Sequence, residues 1–307
     1  MILFRTRCLC PRVRVVIHCT EFLTTFPAPR APASRPYTKG PLRFKAACEY
    51  VVTSGVFQSP ALTPGTLLRI IGAGHSFNTG VKSGQCLNTM VLILTLAIGE
   101  DFRKSLGPAL RSKREYAQRH GYKYIQGGEE FWDRTRPIPW SKVEFVISTL
   151  CEIPDGELVF LSDADVLITN PDIRLEENVI PLLPAGKDLL MTIDACGHLN
   201  SGNMLMRNSP WLRDWWKRVG QQTDLLYHIW WENAAMIRLL ETVPADLAKT
   251  ETTAEHWRFN AYLRGIPGQP LWLPGHFLVH FAGVYDTKKM EELQAEILRG
   301  EVPRIPF

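Results

Sequence analysis

From Met90 onward, apolar runs of strand length alternate with amphipathic stretches of helix length, and this alternation constrains the fold more than any other feature of the chain. Met90 to Ile98 is a continuous apolar run, the pattern of a strand buried on both faces. A charged stretch follows, with Pro108 at a first-turn position and Gly121 just past His120, which reads as a helix with its start and stop residues. Tyr122 to Gln126 can form a second strand. Ser141-Lys142-Val143-Glu144 reads as a capping box opening a helix that buries Val143, Val146, Ile147 and Leu150. Leu158 to Leu161 is a third, fully buried strand, and Leu189 to Ile193 and Met204 to Met206 are further ones. Ser209-Pro210 caps a helix through Val219, another helix lies near Trp231 to Leu240, and Asp286 to Leu298 is a surface helix with Met290, Leu293 and Ile297 facing inward. Strands alternating with helices define an α/β class with an at least partly parallel sheet. Ligands of such sheets bind at the carboxyl ends of the strands.

Residues 1–88 lack this period and are punctuated by proline and glycine. The first 48 hold nine Lys/Arg against one acid, Glu21, so the remaining 259 carry more acids than bases. An acidic body excludes nucleic acid as its partner. The Arg-rich, acid-poor start has the composition of an organelle transit peptide, but Pro27, Pro29, Pro32, Pro36 and Pro41 would break an amphipathic helix there. The expected organisation is a basic, largely unstructured leader over 1–88 and one domain over 89–307. No run reaches the roughly 18 to 20 apolar residues that span a bilayer, so no membrane span is expected and the chain reads as soluble. Five of the seven cysteines precede residue 90 and none forms a Cys-x-x-Cys pair, which argues against a disulfide scaffold and a structural zinc site in the body.

The sharpest chemical feature is Phe160-Leu161-Ser162-Asp163-Ala164-Asp165, where an apolar strand runs into two carboxylates. Carboxylates this close repel unless a cation lies between them. A hard divalent ion, manganese or magnesium, would satisfy them and could hold substrate phosphates. The bland reading of an isolated Asp-x-Asp is a turn or helix cap, and the flanking strand and the features that follow outweigh it. In His198-Leu199-Asn200-Ser201-Gly202-Asn203, small polar residues before a strand let the backbone approach a polyhydroxylated ligand, or simply form a tight turn. His280 ends a short apolar run and can turn into the same site as a nitrogen ligand, although a histidine there is more often a core residue. Trp230-Trp231-Glu232-Asn233 opens a helix with two rings, an acid and an amide; aromatic faces pack on sugars and equally well in a core. Leu68 to Asn78, with Gly72 and Gly74, resembles the pyrophosphate loop of flavin-linked oxidases of the vanillyl-alcohol oxidase type. That match covers about a dozen residues and lacks the rest of a flavin domain.

Taken in order, the strand Met90 to Ile98, Lys113 to Tyr122, Trp140-Ser141-Lys142, Asp163-Ala164-Asp165, Leu199 to Asn203, Trp231-Glu232-Asn233, Phe259-Asn260-Ala261-Tyr262 and His280-Phe281-Ala282-Gly283 resemble glycosyltransferase family 34, the fungal α-galactosyl- and α-mannosyltransferases and plant xyloglucan xylosyltransferases. The resemblance implies a GT-A fold, Rossmann-like, with a mostly parallel central sheet flanked by helices. It also implies a nucleotide-sugar donor, a UDP-sugar foremost, a glycan acceptor, and retention of anomeric configuration, with galactose the first expectation for the sugar and mannose and xylose next. Carried across, Asp163, Asp165 and His280 would bind manganese (or magnesium), Lys142 would add positive charge near the phosphates, and Thr95 and Ala97 would face the base and ribose. Asn200, Ser201, Gly202 and Gly283 would complete the donor site, and Glu232 and Asn233 would be the catalytic residues, with the amide of Asn233 beneath the anomeric carbon. The chain departs from the family at Asn233, where a glutamine is usual, and at His276, where an acid is common. These departures motivate a rival reading, a catalytically impaired nucleotide-sugar or glycan binding protein; a flavin-dependent oxidoreductase built on Gly72 and Gly74 is the second rival. Relatives are Golgi proteins held by an N-terminal membrane helix, whereas this chain has neither such a run nor an Asn-x-Ser/Thr sequon.

Overall fold

The computed structural model describes residues 90–266, 268–303 and 305. The expected leader and the Gly72-Gly74 loop lie outside the described residues. The chain enters on β1 (Val91–Leu96), followed by α1 (Glu100–Ser105), α2 (Gly107–His120), β2 (Lys123–Gly127) and α3 (Ser141–Glu152). Next come β3 (Leu158–Ser162), β4 (Val166–Ile168), the single turn α4 (Leu175–Asn178), β5 (Leu189–Ile193), β6 (Leu199–Arg207) and α5 (Pro210–Gly220). The described chain closes with α6 (Trp231–Thr242), α7 (Pro244–Lys249), β7 (Thr250–Thr253), β8 (Leu278–His280) and α8 (Thr287–Leu298).

Six strands form one sheet in the order β2-β1-β3-β6-β5-β7, and β4 pairs with β8 in a second, two-stranded sheet. In the large sheet β6 alone runs against its neighbours; the β1–β2, β1–β3 and β5–β7 pairs are parallel. Strand periodicity divides the core. Leu92 and Leu94 of β1 face a cluster built with Phe145 and Val146 of α3, Trp215 and Trp216 of α5 and Met236 of α6. Val91 and Ile93 point the other way, onto Tyr116 and Ala117 of α2 and onto Phe259 and Phe277. A third cluster joins α2 and α8 to Ala164, Leu167, Val279 and Phe281, so the junction between the two sheets, where the paired acids lie, is anchored in apolar packing. No helix among the described residues is long and apolar enough to cross a membrane.

Most of the expected elements are present, with boundaries moved by a residue or two. Ser209 caps α5, its Oγ accepting from the Leu212 amide, and Asp286 caps α8 in the same way. Gly121 ends α2 in the left-handed conformation expected of a C-cap glycine. The capping box at Ser141 does not form. A 3₁₀ turn over Ile138–Trp140, favoured by Pro137 and Pro139, runs directly into α3, so Trp140 occupies the cap position and makes no side-chain cap bond. Ser141 Oγ is buried without a partner, and Glu144 is exposed. Residues 199–203, read as a polar segment ahead of a strand, are the first half of β6 itself. The backbone of this segment pairs with Thr192 of β5 and Ser162 of β3, and the side chains of Asn200 and Asn203 bond Asn260.

Candidate metal centre

β3 is buried along its whole length and delivers Asp163, Ala164 and Asp165 into a tight turn before β4. The turn is held on both sides: the Asp163 amide donates to Gly202 O (2.7 Å) and the Phe281 amide donates to Asp165 O (3.0 Å). His280 stands opposite Val166 in the β4–β8 register. Its neighbours Val279 and Phe281 are buried in the third cluster on the opposite strand face, as the alternation of strand side chains requires. One oxygen of Asp163, one oxygen of Asp165 and a ring nitrogen of His280 consequently lie within 4.8 Å of one another, with His280 Nε2 3.4 Å from Asp165 Oδ1. Two carboxylates and an imidazole are a donor set that fits a divalent cation such as manganese or magnesium.

Charged side chains surround the acidic turn. Lys142 Nζ lies 2.8 Å from both Asp163 Oδ1 and Glu232 Oε1, joining α3 and the start of α6 to the acidic turn. Burial alone would lower the Lys142 pKa, but the carboxylates of Asp163 and Glu232 outweigh it and hold the pKa above the ordinary lysine value. Burial raises Glu232, with Lys142 opposing. Burial likewise pushes Asp165 upward, but the neighbouring His280 and then Lys113 and Lys142 bring it below the usual carboxylate range. Lys113 lies fully buried beneath the turn, its Nζ donating to Ala164 O (3.2 Å). Desolvation lowers its pKa to about 7 despite the attraction of Asp165 and Asp163. Asp163, Asp165 and Glu232 thus face Lys142, which its carboxylate partners hold charged, and Lys113, whose charge burial weakens.

The structure brings Asp163, Asp165, His280, Lys142 and Glu232 into this one cluster. Gly202 belongs to it in a way that the sequence did not indicate: a Cβ there would lie 2.1 Å from His280 Cε1. The missing side chain therefore admits the histidine ring. Asn200 Oδ1 accepts from the Gly202 amide (2.8 Å) and from Asn260 Nδ2 (3.0 Å), and Ser201 is buried in β6. Asn233 Nδ2 donates to Leu199 O (3.0 Å), while its Oδ1 is buried with no hydrogen-bond partner. Thr95 and Ala97 are fully buried at the end of β1, Thr95 Oγ1 without a partner. Gly283 adopts a φ of 74° in the turn after β8, and its carbonyl accepts from Arg264 Nη2 (3.3 Å). His276 lies in the turn before β8, Nδ1 accepting from the Leu273 amide (3.3 Å), and burial lowers its pKa. Trp231 packs against the main core cluster and has a φ of 44°, unusual for a bulky residue. Trp230 is 40% exposed, its ring 4.7 Å from that of His198.

Two participants escaped sequence reasoning. Lys113 carried a usable signal, a lysine between Leu110 and Ala117 on the helix stripe that also buries Ala109 and Tyr116. Asn260, quoted only within a matched motif, carried no sign of its role, because its partners are side chains 20 to 68 residues away. A cavity between α3, α5 and the loop that includes Phe131, Trp132 and Arg136 shares none of its lining with the metal centre.

Residues 88–183 match the model of the galactosyl transferase GMA12/MNN10 family. An uncharacterized alpha-1,2-galactosyltransferase of Schizosaccharomyces pombe is 25% identical over 246 residues, covering 64% of this chain and 62% of that protein. A protein of Saccharomyces cerevisiae named as a probable alpha-1,6-mannosyltransferase, MNN10, is 28% identical over 160 residues, 41% of this chain and 39% of its own length. The chain thus spans less than two thirds of the length of these relatives. Among solved structures, a glycosyltransferase involved in glycosylation of the major capsid of PBCV-1 superposes with a TM-score of 0.55 at 13% identity, over 67% of this chain and 98% of that one; at that identity the likeness concerns the fold, which is GT-A.

Proposed function

We propose that the chain is a member of glycosyltransferase family 34, whose model its residues 88–183 match, and that residues 89–307 form a retaining, metal-dependent glycosyltransferase that moves a sugar from a nucleotide donor to a glycan hydroxyl. The observation that carries the reading is the convergence of Asp163, Asp165 and His280 at the carboxyl end of β3, tied through Lys142 to Glu232. Manganese or magnesium held by these three residues would supply Lewis-acid neutralisation of the charge that develops on a departing diphosphate. Lys142 holds Asp163 and Glu232 in fixed relation and adds a permanent positive charge beside the acidic turn. Glu232 Oε2 and Asn233 Oδ1 are buried acceptors without partners, the atoms with which this chain would bond a donor-sugar hydroxyl or steady positive charge at the anomeric carbon. Asn200 and Gly283 line the donor side in this reading, Ser201 and Gly202 support it through β6, and Thr95 and Ala97 form the floor under the nucleotide. The donor is a UDP-sugar, UDP-galactose first, in line with the names of the relatives.

Donor hydrolysis and binding across UDP-galactose, GDP-mannose and UDP-xylose, with and without manganese, test this. Manganese-dependent turnover of one donor is the expected result. Tight UDP binding without turnover of any donor would instead favour the catalytically impaired binding protein, a reading that the short Asn233 side chain, already tied to Leu199 O, motivates. Failure to bind either manganese or any nucleotide sugar would remove both.

A further inference from the structure

The polar network behind His280 determines which of its ring nitrogens carries hydrogen. The network starts at a backbone amide, whose donor role is fixed. Gly202 N–H donates to the Asn200 side chain at 2.8 Å, so the atom there is Asn200 Oδ1 and not its amide nitrogen. The Asn260 atom 3.0 Å from that same oxygen must then be the donor Nδ2, which also reaches Thr192 Oγ1 at 2.8 Å. Asn260 is thereby oriented, and its remaining atom, Oδ1, faces His280 Nδ1 at 2.9 Å. An amide oxygen has only lone pairs to offer. Two lone pairs set against each other in a site where Asn260 is fully buried and His280 nearly so would leave both groups unsatisfied at the full cost of desolvation. Asn203 Nδ2 donates to the same Asn260 oxygen at 2.9 Å, in keeping with its acceptor role.

We propose that Asn260 is a positioning residue of the metal centre: oriented by the Gly202 amide through Asn200, it keeps the His280 hydrogen on Nδ1 and leaves Nε2 as the only ring nitrogen able to present a lone pair toward Asp163 and Asp165. Outer partners of this kind set the tautomer and ring orientation of metal-binding histidines. The second constraint on the ring is steric. The imidazole fills the space that a Cβ at position 202 would need, so the same residue supplies both the amide that begins the relay and the room in which the ring sits. The inference deepens the metal reading given above and rests on it for its functional meaning, but the hydrogen position can be measured without any metal.

The test uses the full chain labelled with 15N-histidine, metal-free, with the His280 ring resonances assigned by their loss in His280→Ala. In the neutral ring, hydrogen on Nδ1 together with a bare Nε2 is the expected result. A bare Nδ1 with hydrogen only on Nε2 overturns the proposal whatever the metal affinity. Asn260→Leu removes the acceptor and should weaken manganese binding by calorimetry about 10- to 100-fold, with loss of the Nδ1–H signature. Asn260→Asp keeps an oxygen toward Nδ1 and should retain that signature and recover most of the affinity. Equal loss of affinity in both variants with Nδ1–H retained in both would mark Asn260 as merely structural and overturn the proposal. Should Asn260→Leu fail to fold, the wild-type ring state and the Asp variant still decide. Wild-type protein that carries Nδ1–H yet binds no manganese would sink the metal reading while leaving the relay intact.

Discussion

Replacing Lys113 by methionine should stabilise the metal-free protein at pH 7 and make little difference at pH 9. The lysine is wholly buried, and its pKa falls from 10.5 to about 7, chiefly through desolvation. A lowered pKa in the folded state means that the unfolded chain binds more protons between these two values, so stability rises with pH across that window. With those end points the lysine costs the fold roughly 4 kcal/mol at pH 7 and roughly 2 kcal/mol at pH 9, relative to a neutral amine. Methionine removes that cost, but it orphans the Ala164 carbonyl that Nζ bonds, a loss of about 1–3 kcal/mol. The variant should therefore exceed wild type by about 1–3 kcal/mol at pH 7, with the gap closing by about 2 kcal/mol at pH 9. Urea unfolding at pH 7, 8 and 9 in the presence of a chelator measures this, and subtracting the variant removes other groups that titrate in the same window. Parallel stability curves for the two proteins would show that Lys113 keeps an ordinary pKa and that the charge balance drawn under the acidic turn is mistaken.

Asp165→Asn keeps the shape of the side chain and should abolish manganese binding by calorimetry together with turnover. Because the Asp165 pKa is lowered in the fold, its stabilisation is present above the unfolded value near 3.9 and is lost as pH falls, so the variant should be less stable than wild type at pH 6 and should approach it in acid melts. Gly202→Ala would force a Cβ to 2.1 Å from His280 Cε1; about 1–3 kcal/mol of stability and much of the manganese affinity should go together, and a variant near wild type in both measurements would contradict the packing described. Lys142→Met leaves Glu232 and Asp163 without their shared cation and should cost about 3–5 kcal/mol in urea unfolding, most of it recovered when Glu232→Gln is added. Trp230→Ala, at an exposed ring two residues before Glu232, should raise the acceptor KM while leaving donor hydrolysis unchanged; equal effects on both would remove Trp230 from the acceptor side.

The sequence by itself determined most of the elements and singled out the candidate metal set. The run from Met90 and the stripes of α3, α5 and α8 are local patterns, since each apolar residue is placed by the 2.0 or 3.6 period of its own segment. Asp163 and Asp165 were legible for a related reason, since two carboxylates directly after an apolar strand have few roles other than a turn or a site; His280, by itself more often a core residue, was joined to them by the ordered motifs. Only the tertiary structure decided the rest. The Ser141 capping box failed because the preceding prolines extend a helical turn through Trp140, a competition between neighbouring segments that the four-residue pattern does not contain. Residues 199–203 joined β6 because Ser162 and Thr192 on flanking strands pair with them. Asn260 and Gly202 gained their roles from a histidine that reaches them only after β8 has paired with β4. A hydrogen-bond acceptor or an empty Cβ position acts on whatever the fold places within about 3 Å of it, and no spacing along the chain encodes that distance.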